Sequence, residues 1–295
     1  WGLKIGAEIS MEANPTSVEA DRFSAFSDAG VNRLSMGIQA LNDADLKALG
    51  RMHTAKEAIQ AFEIAKLYFD NVSFDLIYAR QKQTLEGWKQ ELQIAIDMAV
   101  DHLSLYQLTI ENGTRFGDLY SRGRLRNLPT DDTSIDMYLH TQEICDSAGL
   151  HGYETSNHAR EGALCQHNLV YWRYGDYAGI GPGAHGRLTI NGERFATSTY
   201  LSPEKWIESV ETKGHGRNSK DLLSAQDQAT EYLLMSMRLS EGANTARFSI
   251  LSGRSLCEKT VSDLVNDGFI ERRNGYICTT TKGKPLLNAI LRELL

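Results

Sequence analysis

Polar and apolar residues alternate with a period of two along four short segments in the first half of the chain, a pattern typical of half-buried β-strands. In the first segment Glu8, Ser10 and Glu12 fall on one side, while Ile9 and Met11 fall on the other. The four predicted strands are AEISMEA (7–13), NRLSMGIQ (32–39), VSFDLIYA (72–79) and HLSLYQLTI (102–110).

Helical periodicity fills the intervals between these strands. The predicted helices cover residues 17–28, 43–50, 54–69, 84–100 and 132–148. Strands that alternate with helices are typical of βα units with parallel strands, in a barrel or in an open doubly wound sheet. In both folds functional groups collect at the carboxyl ends of the strands, near Glu12, Gln39, Asp75 and Thr109 here.

The second half of the chain has a different pattern of predicted helices and strands. A strand is predicted near LHGYETSN (150–157), and residues 200–220 are polar, as in an irregular junction. Beyond them, several helices and a hairpin that turns at Asn274-Gly275 predict a winged-helix-like domain. We therefore divide the chain into residues 1–150, 151–220 and 221–295.

Charge and composition exclude two classes of protein. No apolar run reaches the roughly 18 residues that a membrane-spanning helix needs. The net charge of −7 disfavours a nucleic-acid partner. Residues 222–295 also lack the basic stripe of a recognition helix, with 9 Lys and Arg against 8 Asp and Glu. A DNA-binding regulator is therefore disfavoured.

Four cysteines are spaced by 20, 92 and 21 residues, which is neither a metal nor a redox pattern. Scattered free thiols predict a cytoplasmic protein. The chain starts at WGLKIGAEIS without Met or a signal-peptide pattern, so we expect further residues upstream.

The stretch CQHNLVYWRYGDYAGIGPGAHG (165–186) concentrates aromatic, histidine and glycine residues. On residue types alone, the first part fits an aromatic core strand with a structural histidine, although an imidazole can also ligate haem iron. GIGPGAHG (179–186) lacks the pattern of a phosphate loop, so we interpret it as a tight turn in which His185 is structural.

Ordered motifs along almost the whole chain resemble one family. They are EISMEANP, NRLSMGIQALNDADLKALGRMH, FDLIY, QTLEGW, HLSLYQLTIENGT, GYETSNHA, CQHNLVYW and GIGPGAHG. The family is that of the radical S-adenosylmethionine (SAM) proteins similar to oxygen-independent coproporphyrinogen III oxidase. The resemblance implies an α/β fold, a partial (β/α)6 barrel lacking here its first strands, followed by a small winged-helix-like C-terminal domain.

The resemblance also implies a SAM site. Glu12 would hold the amino group of SAM, Arg51 its carboxylate, and Gln39 with Asp75 its ribose hydroxyls. Ile77 would pack on adenine, with Thr109 beside it. Asp75 is the strongest of these predictions, because it lies between Phe74 and Leu76 in an apolar strand and a buried acid needs a partner.

HNLVYW (167–172) resembles the haem-binding signature of the haem-chaperone branch, which the true oxidases lack. The resemblance implies that His167 ligates haem iron, with Asn168, Tyr171 and Trp172 around the porphyrin. Cys165 is the alternative thiolate ligand. The implied function is binding haem and passing it to acceptor proteins, some of them membrane-associated; the alternative is oxidative decarboxylation of coproporphyrinogen III.

Two departures from the family pattern stand out. The C-x3-C-x2-C motif that binds the family's [4Fe–4S] cluster is absent from this sequence. The family's DLIYGLPGQT reads DLIYARQKQT here, with Ala79 and Lys82 in place of glycines. Because glycine readily adopts positive φ, we expect this turn beside the SAM site to change.

Overall fold

The computed structural model describes residues 2, 4–16 and 20–295. The chain divides into two compact units, Trp1–Leu164 and Cys165–Leu295. The predicted start of a helix at Ser17 lies outside the described residues.

The first unit is built on a six-stranded sheet in the order β1-β2-β3-β4-β6-β5. Strands β1 to β4 run parallel, whereas β6 pairs antiparallel with both β4 and β5. The strands are β1 Ser10–Ala13, β2 Arg33–Gln39, β3 Asn71–Tyr78, β4 His102–Gln107, β5 His151–Gly152 and β6 Asn157–Ala159. The alternating segments therefore form the predicted parallel strands, and the segment near residue 150 is a pair of short ones.

Helices connect these strands as the periodicity predicts. They are α1 Phe23–Asp28, α2 Asp43–Ala48, α3 Ala55–Ala65, α4 Leu85–Met98, α5 Arg115–Ser121 and α6 Asp131–Ser147. Their starts are fixed locally: Thr54 and Glu57 form a capping box on α3, and the Thr84 side chain caps α4. A cap of this kind stabilises a helix by about 1 kcal/mol.

The two faces of the sheet differ in polarity. On one face the central strands bury apolar side chains against the helices, among them Met36, Phe74 and Leu103, all 0% exposed. Phe62 on α3 meets Phe74 edge to face with ring centroids 4.9 Å apart. Each such burial contributes about 1.5–3 kcal/mol. The opposite face carries serines and carboxylates, and the candidate site is built there.

The second unit begins with a short helix and a three-stranded antiparallel sheet in the order β7-β8-β9. Its elements are α7 Gln166–Trp172, β7 His185–Ile190, β8 Glu193–Thr199, α8 Pro203–Lys213 and β9 Arg217–Leu222. Residues 200–220 are therefore mostly regular, and our expectation of an irregular junction was wrong. Ser202 caps α8, and Pro203 suits its first turn.

The rest of this unit matches the predicted winged-helix pattern. Its elements are α9 Ala225–Ser236, β10 Ala243–Asn244, α10 Thr245–Ser252, α11 Glu258–Asn266, β11 Ile270–Arg273, β12 Tyr276–Thr279 and α12 Leu287–Leu294. Asn274 and Gly275 have φ of 51° and 82°, which confirms the tight hairpin turn. Among the described residues, no helix is both long and apolar enough to span a membrane.

Candidate functional site

Strand register gathers polar side chains on the face of the first unit's sheet that is turned away from the apolar core. Glu12 on β1 pairs with Ser35 on β2, which in turn pairs with Ser73 on β3. Asp75, two residues further along β3, pairs with Ser104 on β4. Because alternate residues of a strand share a face, Glu12 and Asp75 lie on the same side.

Gln39 ends β2 on this face. Its φ is 76°, and the register between β2 and β3 shifts just before it, between Met36 and Gln39. The Gln39 amide folds back over Gly37, where an added Cβ would lie 3.0 Å from Gln39 Nε2. Gly37 therefore leaves room for the amide, which both donates and accepts hydrogen bonds.

Asp75 is a half-buried acid of this face. Its Oδ1 accepts a 3.1 Å hydrogen bond from Ser35 Oγ, which itself accepts from Ser73 Oγ at 3.1 Å. Burial raises the pKa of Asp75 to about 6, the charge of Glu12 adds to the rise, and Arg51 opposes it. Glu12 and Arg51, both predicted from the sequence, are therefore electrostatic neighbours of Asp75.

The remaining predicted SAM residues are less tightly placed. Ile77 is half-buried and lies two residues beyond Asp75 on the same strand face. Arg51 is exposed just after α2, with its backbone N–H donating to Leu46 O at 2.8 Å. Thr109 is exposed two residues past the end of β4, outside any strand.

Three further residues of this face were missed by the sequence analysis: Ser104, Glu154 and Asn157. Ser104 Oγ donates to Asn157 Oδ1 at 2.8 Å, and Asn157 Nδ2 donates to Glu154 Oε1. Glu154 is 4% exposed, and burial raises its pKa. The signal was present in GYETSN, where an acid and an amide lie within the predicted strand.

The turn after β3 keeps a left-handed backbone at both positions where the family has glycine. Ala79 has φ of 57° and Lys82 has φ of 62°. Both residues therefore adopt the region of φ that glycine favours. Between them, Arg80 is 3% exposed and ion-paired to Asp45 at 2.7 Å and to Glu91 at 2.5 Å.

The second unit carries HNLVYW on helix α7, so the expectation of a core strand was wrong. His167 is exposed, and its ring meets Tyr171 edge to face, with centroids 4.8 Å apart. Tyr171 meets Tyr177 in the same way at 4.4 Å. The sequence analysis missed Tyr177, although an aromatic beside a glycine-rich run was the signal.

Tyr177 stands on a fixed backbone. It exchanges two hydrogen bonds with Arg187 of β7, at 2.7 and 2.9 Å. The turn that follows is closely packed, because an added Cβ on Gly179 would lie 2.2 Å from the His185 carbonyl oxygen. This packing of backbone against backbone is what we predicted for GIGPGAHG.

Asn168 and Trp172 share an adjacent face of α7, being four residues apart. Both are half-buried, and the Arg238 guanidinium lies 5.7 Å from the centre of the Trp172 ring. Cys165, the alternative ligand, is 8% exposed at the start of the helix. His167 is thus the more accessible of the two candidate iron ligands.

The residues that the structure describes do not fit an iron–sulfur cluster. Among the described residues, no three His, Cys, Asp or Glu side chains are grouped as metal ligands. Cys145, Cys165 and Cys278 are buried, whereas Cys257 is exposed. The Asp75 face, in contrast, suits a ligand with hydroxyl groups, because an amide and a carboxyl group lie beside each other there.

Comparison with known proteins places the chain in a superfamily. Residues 3–94 match the radical SAM superfamily, and residues 223–286 match the HemN C-terminal domain. The fold agrees: coproporphyrinogen III oxidase (HemN) from Escherichia coli superposes with a TM-score of 0.78 at 20% identity, over 99% of this chain and 70% of that one. The predicted fold class, a partial barrel with a small C-terminal domain, is confirmed.

Sequence relatives narrow the family. Heme chaperone HemW from Escherichia coli strain K12 is 38% identical over 299 residues, covering 99% of this chain and 76% of the relative. Radical S-adenosyl methionine domain-containing protein 1, mitochondrial, from Mus musculus is 42% identical over 304 residues, covering 99% and 69%. The chain belongs to the HemN/HemW-like family of radical SAM proteins.

Proposed function

We propose that this protein is a haem chaperone: it binds haem through the exposed face of α7 and passes it to acceptor proteins. The observation that carries the proposal is the row of rings formed by His167, Tyr171 and Tyr177, which begins at an exposed imidazole. A neutral imidazole can ligate haem iron, and the tyrosine rings offer apolar area for a porphyrin. The names of several relatives, such as Heme chaperone HemW, support the same function.

In this proposal Asn168 and Trp172 also lie around the porphyrin and have a secondary role in binding it. Trp172 lies beneath Arg238, which would bring a guanidinium to the edge of the site. Guanidinium groups pair well with carboxylates such as haem propionates. Cys165 is buried and supplies no accessible thiolate.

We further propose that the polar face of the first unit binds SAM. Asp75 and Gln39 would hold the ribose hydroxyls, Glu12 the amino group and Arg51 the carboxylate. Ile77 would contact adenine, with Thr109 nearby. In the family an iron–sulfur cluster supplies an electron to SAM; the residues of this chain would only bind and orient that cofactor.

The alternative function is oxidative decarboxylation of coproporphyrinogen III. Its support is the HemN-like fold, and a fold alone does not specify chemistry. We propose that the acceptors are haem-binding proteins, membrane-associated ones included, and that nucleic acid is no partner. The four free cysteines suit a reducing compartment such as the cytoplasm.

A transfer assay tests the proposed function. The full-length protein is loaded with haem and mixed with apomyoglobin, and the Soret band of the acceptor is followed. Wild type should deliver haem, whereas His167→Ala should load and deliver little. Anaerobic turnover of coproporphyrinogen III, with no haem binding, would instead establish the oxidase.

A further inference from the structure

Two hydrogen-bond chains converge on Asp75 from opposite sides. On one side Ser73 Oγ donates to Ser35 Oγ, and Ser35 Oγ donates to Asp75 Oδ1, both at 3.1 Å. On the other side lies Ser104, which pairs with Asp75 in the strand register and whose hydroxyl, when it donates to Asp75, lowers the pKa of that carboxyl group. The acceptor that receives the proton of the Ser104 hydroxyl decides whether Ser104 donates a hydrogen bond to Asp75 or accepts one from it.

A hydroxyl has one proton to donate, so Ser104 cannot donate to two acceptors at once. Its Oγ lies 2.8 Å from Asn157 Oδ1 and donates there. Asn157 presents this oxygen because its Nδ2 group is directed to the carboxylate of Glu154. An ionised carboxylate only accepts hydrogen bonds, so Glu154 fixes which end of the amide faces Ser104.

Glu154 is itself held in place. It is 4% exposed, and its Oε1 accepts from the backbone N–H of Ser156 at 3.0 Å. The turn that carries it is closed by the Tyr153 N–H, which donates to Asn157 O at 3.1 Å, and the Ser156 carbonyl accepts from Leu105 N of β4 at 2.7 Å. The carboxylate therefore has little freedom to turn away from Asn157.

We infer that Glu154 and Asn157 are positioning residues for Asp75: they direct the Ser104 proton away, so that Ser104 offers Asp75 a lone pair. When Asp75 carries a proton, the hydrogen bonds form one chain from Ser73 through Asp75 to Glu154, in which each group donates to the next. The inference rests on the proposed role of Asp75 as the acceptor for ribose hydroxyls. Nothing in that role itself requires Glu154.

This arrangement has a consequence for ligand binding. Hydroxyl donors need the ionised carboxylate, and Asp75 holds its proton up to about pH 6 because it is buried. The affinity for a hydroxyl ligand should therefore rise with pH up to about 6 and level off above it. Other charged groups that face Asp75 are Glu12, which favours its proton, and Arg51, which opposes it; Tyr106 on β4 is a further titratable neighbour.

The first arm of the test follows Asp75 itself in the full-length protein. Infrared difference spectra give the midpoint of its carboxyl band, which Asp75→Asn assigns by removing it. In Glu154→Leu no acceptor holds the Asn157 Nδ2 group, so the amide can turn over and free the Ser104 proton for Asp75, and the midpoint should fall by about one pH unit. Glu86→Leu, at an exposed glutamate of the same unit, is the control and should leave the midpoint unchanged.

A double-mutant cycle separates the hydrogen-bond route from simple loss of charge. If the effect passes through Ser104, Glu154→Leu should shift the midpoint in wild type and not in Ser104→Ala. An equal shift in both backgrounds, or no shift in either, would overturn the inference. Asn157→Ala, which keeps the charge of Glu154, should also lower the midpoint and serves if Glu154→Leu does not fold.

The second arm measures SAM affinity by calorimetry between pH 5 and pH 8. The affinity of wild type should fall about tenfold per pH unit below the Asp75 midpoint, and the curve of Glu154→Leu should move to lower pH together with that midpoint. A midpoint that moves while SAM fails to bind would sustain the inference and refute the proposed SAM site. If the midpoint moves but the pH dependence of SAM affinity does not, the inference about Glu154 stands and the proposed role of Asp75 in binding SAM is refuted.

Discussion

The imidazole of His167 and the phenol ring of Tyr171 meet edge to face, at 4.8 Å between centroids and 75° between planes. The two residues are one helical turn apart on α7, and Tyr171 in turn meets Tyr177 at 4.4 Å. Tyr177 is anchored to β7 by two backbone hydrogen bonds. Tyr177, held to β7 by its backbone, thus contacts the ring that lies against the proposed iron ligand.

The aromatic row predicts a graded effect of Tyr177 on haem binding. Tyr177→Leu should weaken haem affinity about threefold to tenfold, because an aromatic pair contributes about 0.5–1.5 kcal/mol. Tyr177→Phe keeps the ring and should bind like wild type. Haem titrations followed by absorbance compare the three proteins. Equal affinities for Leu and Phe at this position would show that Tyr177 has no such role.

Asp75 should lower the stability of the folded chain at neutral pH. Its pKa is about 6 in the folded protein and 3.8 in the reference state, so the folded state binds more protons between these values. Stability therefore falls as pH rises from about 4 to 6 and is then constant. Asp75→Asn should be more stable than wild type by about 2–3 kcal/mol at pH 7, while losing SAM affinity.

Urea unfolding at pH 7 and at pH 4 measures this difference, which should nearly vanish at the lower pH. Asp70→Asn, at an exposed aspartate of the same unit, is the control and should show no such pH dependence. An Asp75→Asn variant that is less stable than wild type at pH 7 would contradict the assigned burial cost.

Glycine in place of Ala79 or Lys82 should stabilise the turn after β3. A residue with a Cβ loses about 1–2 kcal/mol of stability at positive φ. Glycine avoids this cost, but the greater conformational freedom of glycine in the unfolded chain offsets part of the gain. Lys82→Gly and Ala79→Gly should each stabilise the protein by about 0.5–1 kcal/mol. Lys56→Gly, an exposed lysine inside α3, should destabilise it by about 1 kcal/mol. Destabilisation at both turn positions would contradict the left-handed backbone seen there.

Arg80 should be essential to this turn. It is 4% exposed in its side chain, and Arg80→Leu would leave Glu91 buried without its cation. Loss of one partner of a buried pair costs about 3–5 kcal/mol. Replacing both, as Arg80→Leu with Glu91→Leu, should recover most of the loss in thermal unfolding. A double variant as unstable as the single one would mean that Arg80 acts by packing alone.

Local signals account for what the sequence predicted. Thr54 and Thr84 cap helices through their own next turn, and the alternation around Asp75 placed an acid inside an apolar strand. The segment HNLVYW was misjudged because its aromatic composition favours a strand, whereas the chain forms a two-turn helix there. The link between Ser104 and Asn157 joins residues 53 positions apart, and no local pattern reports such a contact.

Arg80 shows a second limit of sequence reasoning. The departure from the family's turn pattern predicted a changed loop; the structure has two left-handed residues there and a buried arginine that bridges Asp45 and Glu91. The compensation is tertiary, since α2 and α4 supply the two carboxylates. A local comparison of motifs therefore identifies the departure but not what stabilises it.

Titration of the full-length protein with haemin tests the central proposal most directly. Wild type should develop a shifted Soret band that saturates, and His167→Ala should lose it, while His185→Ala, an exposed histidine of the same unit, should keep it. A Soret band in His167→Ala that matches wild type in position and affinity would contradict the assignment of His167 as the iron ligand.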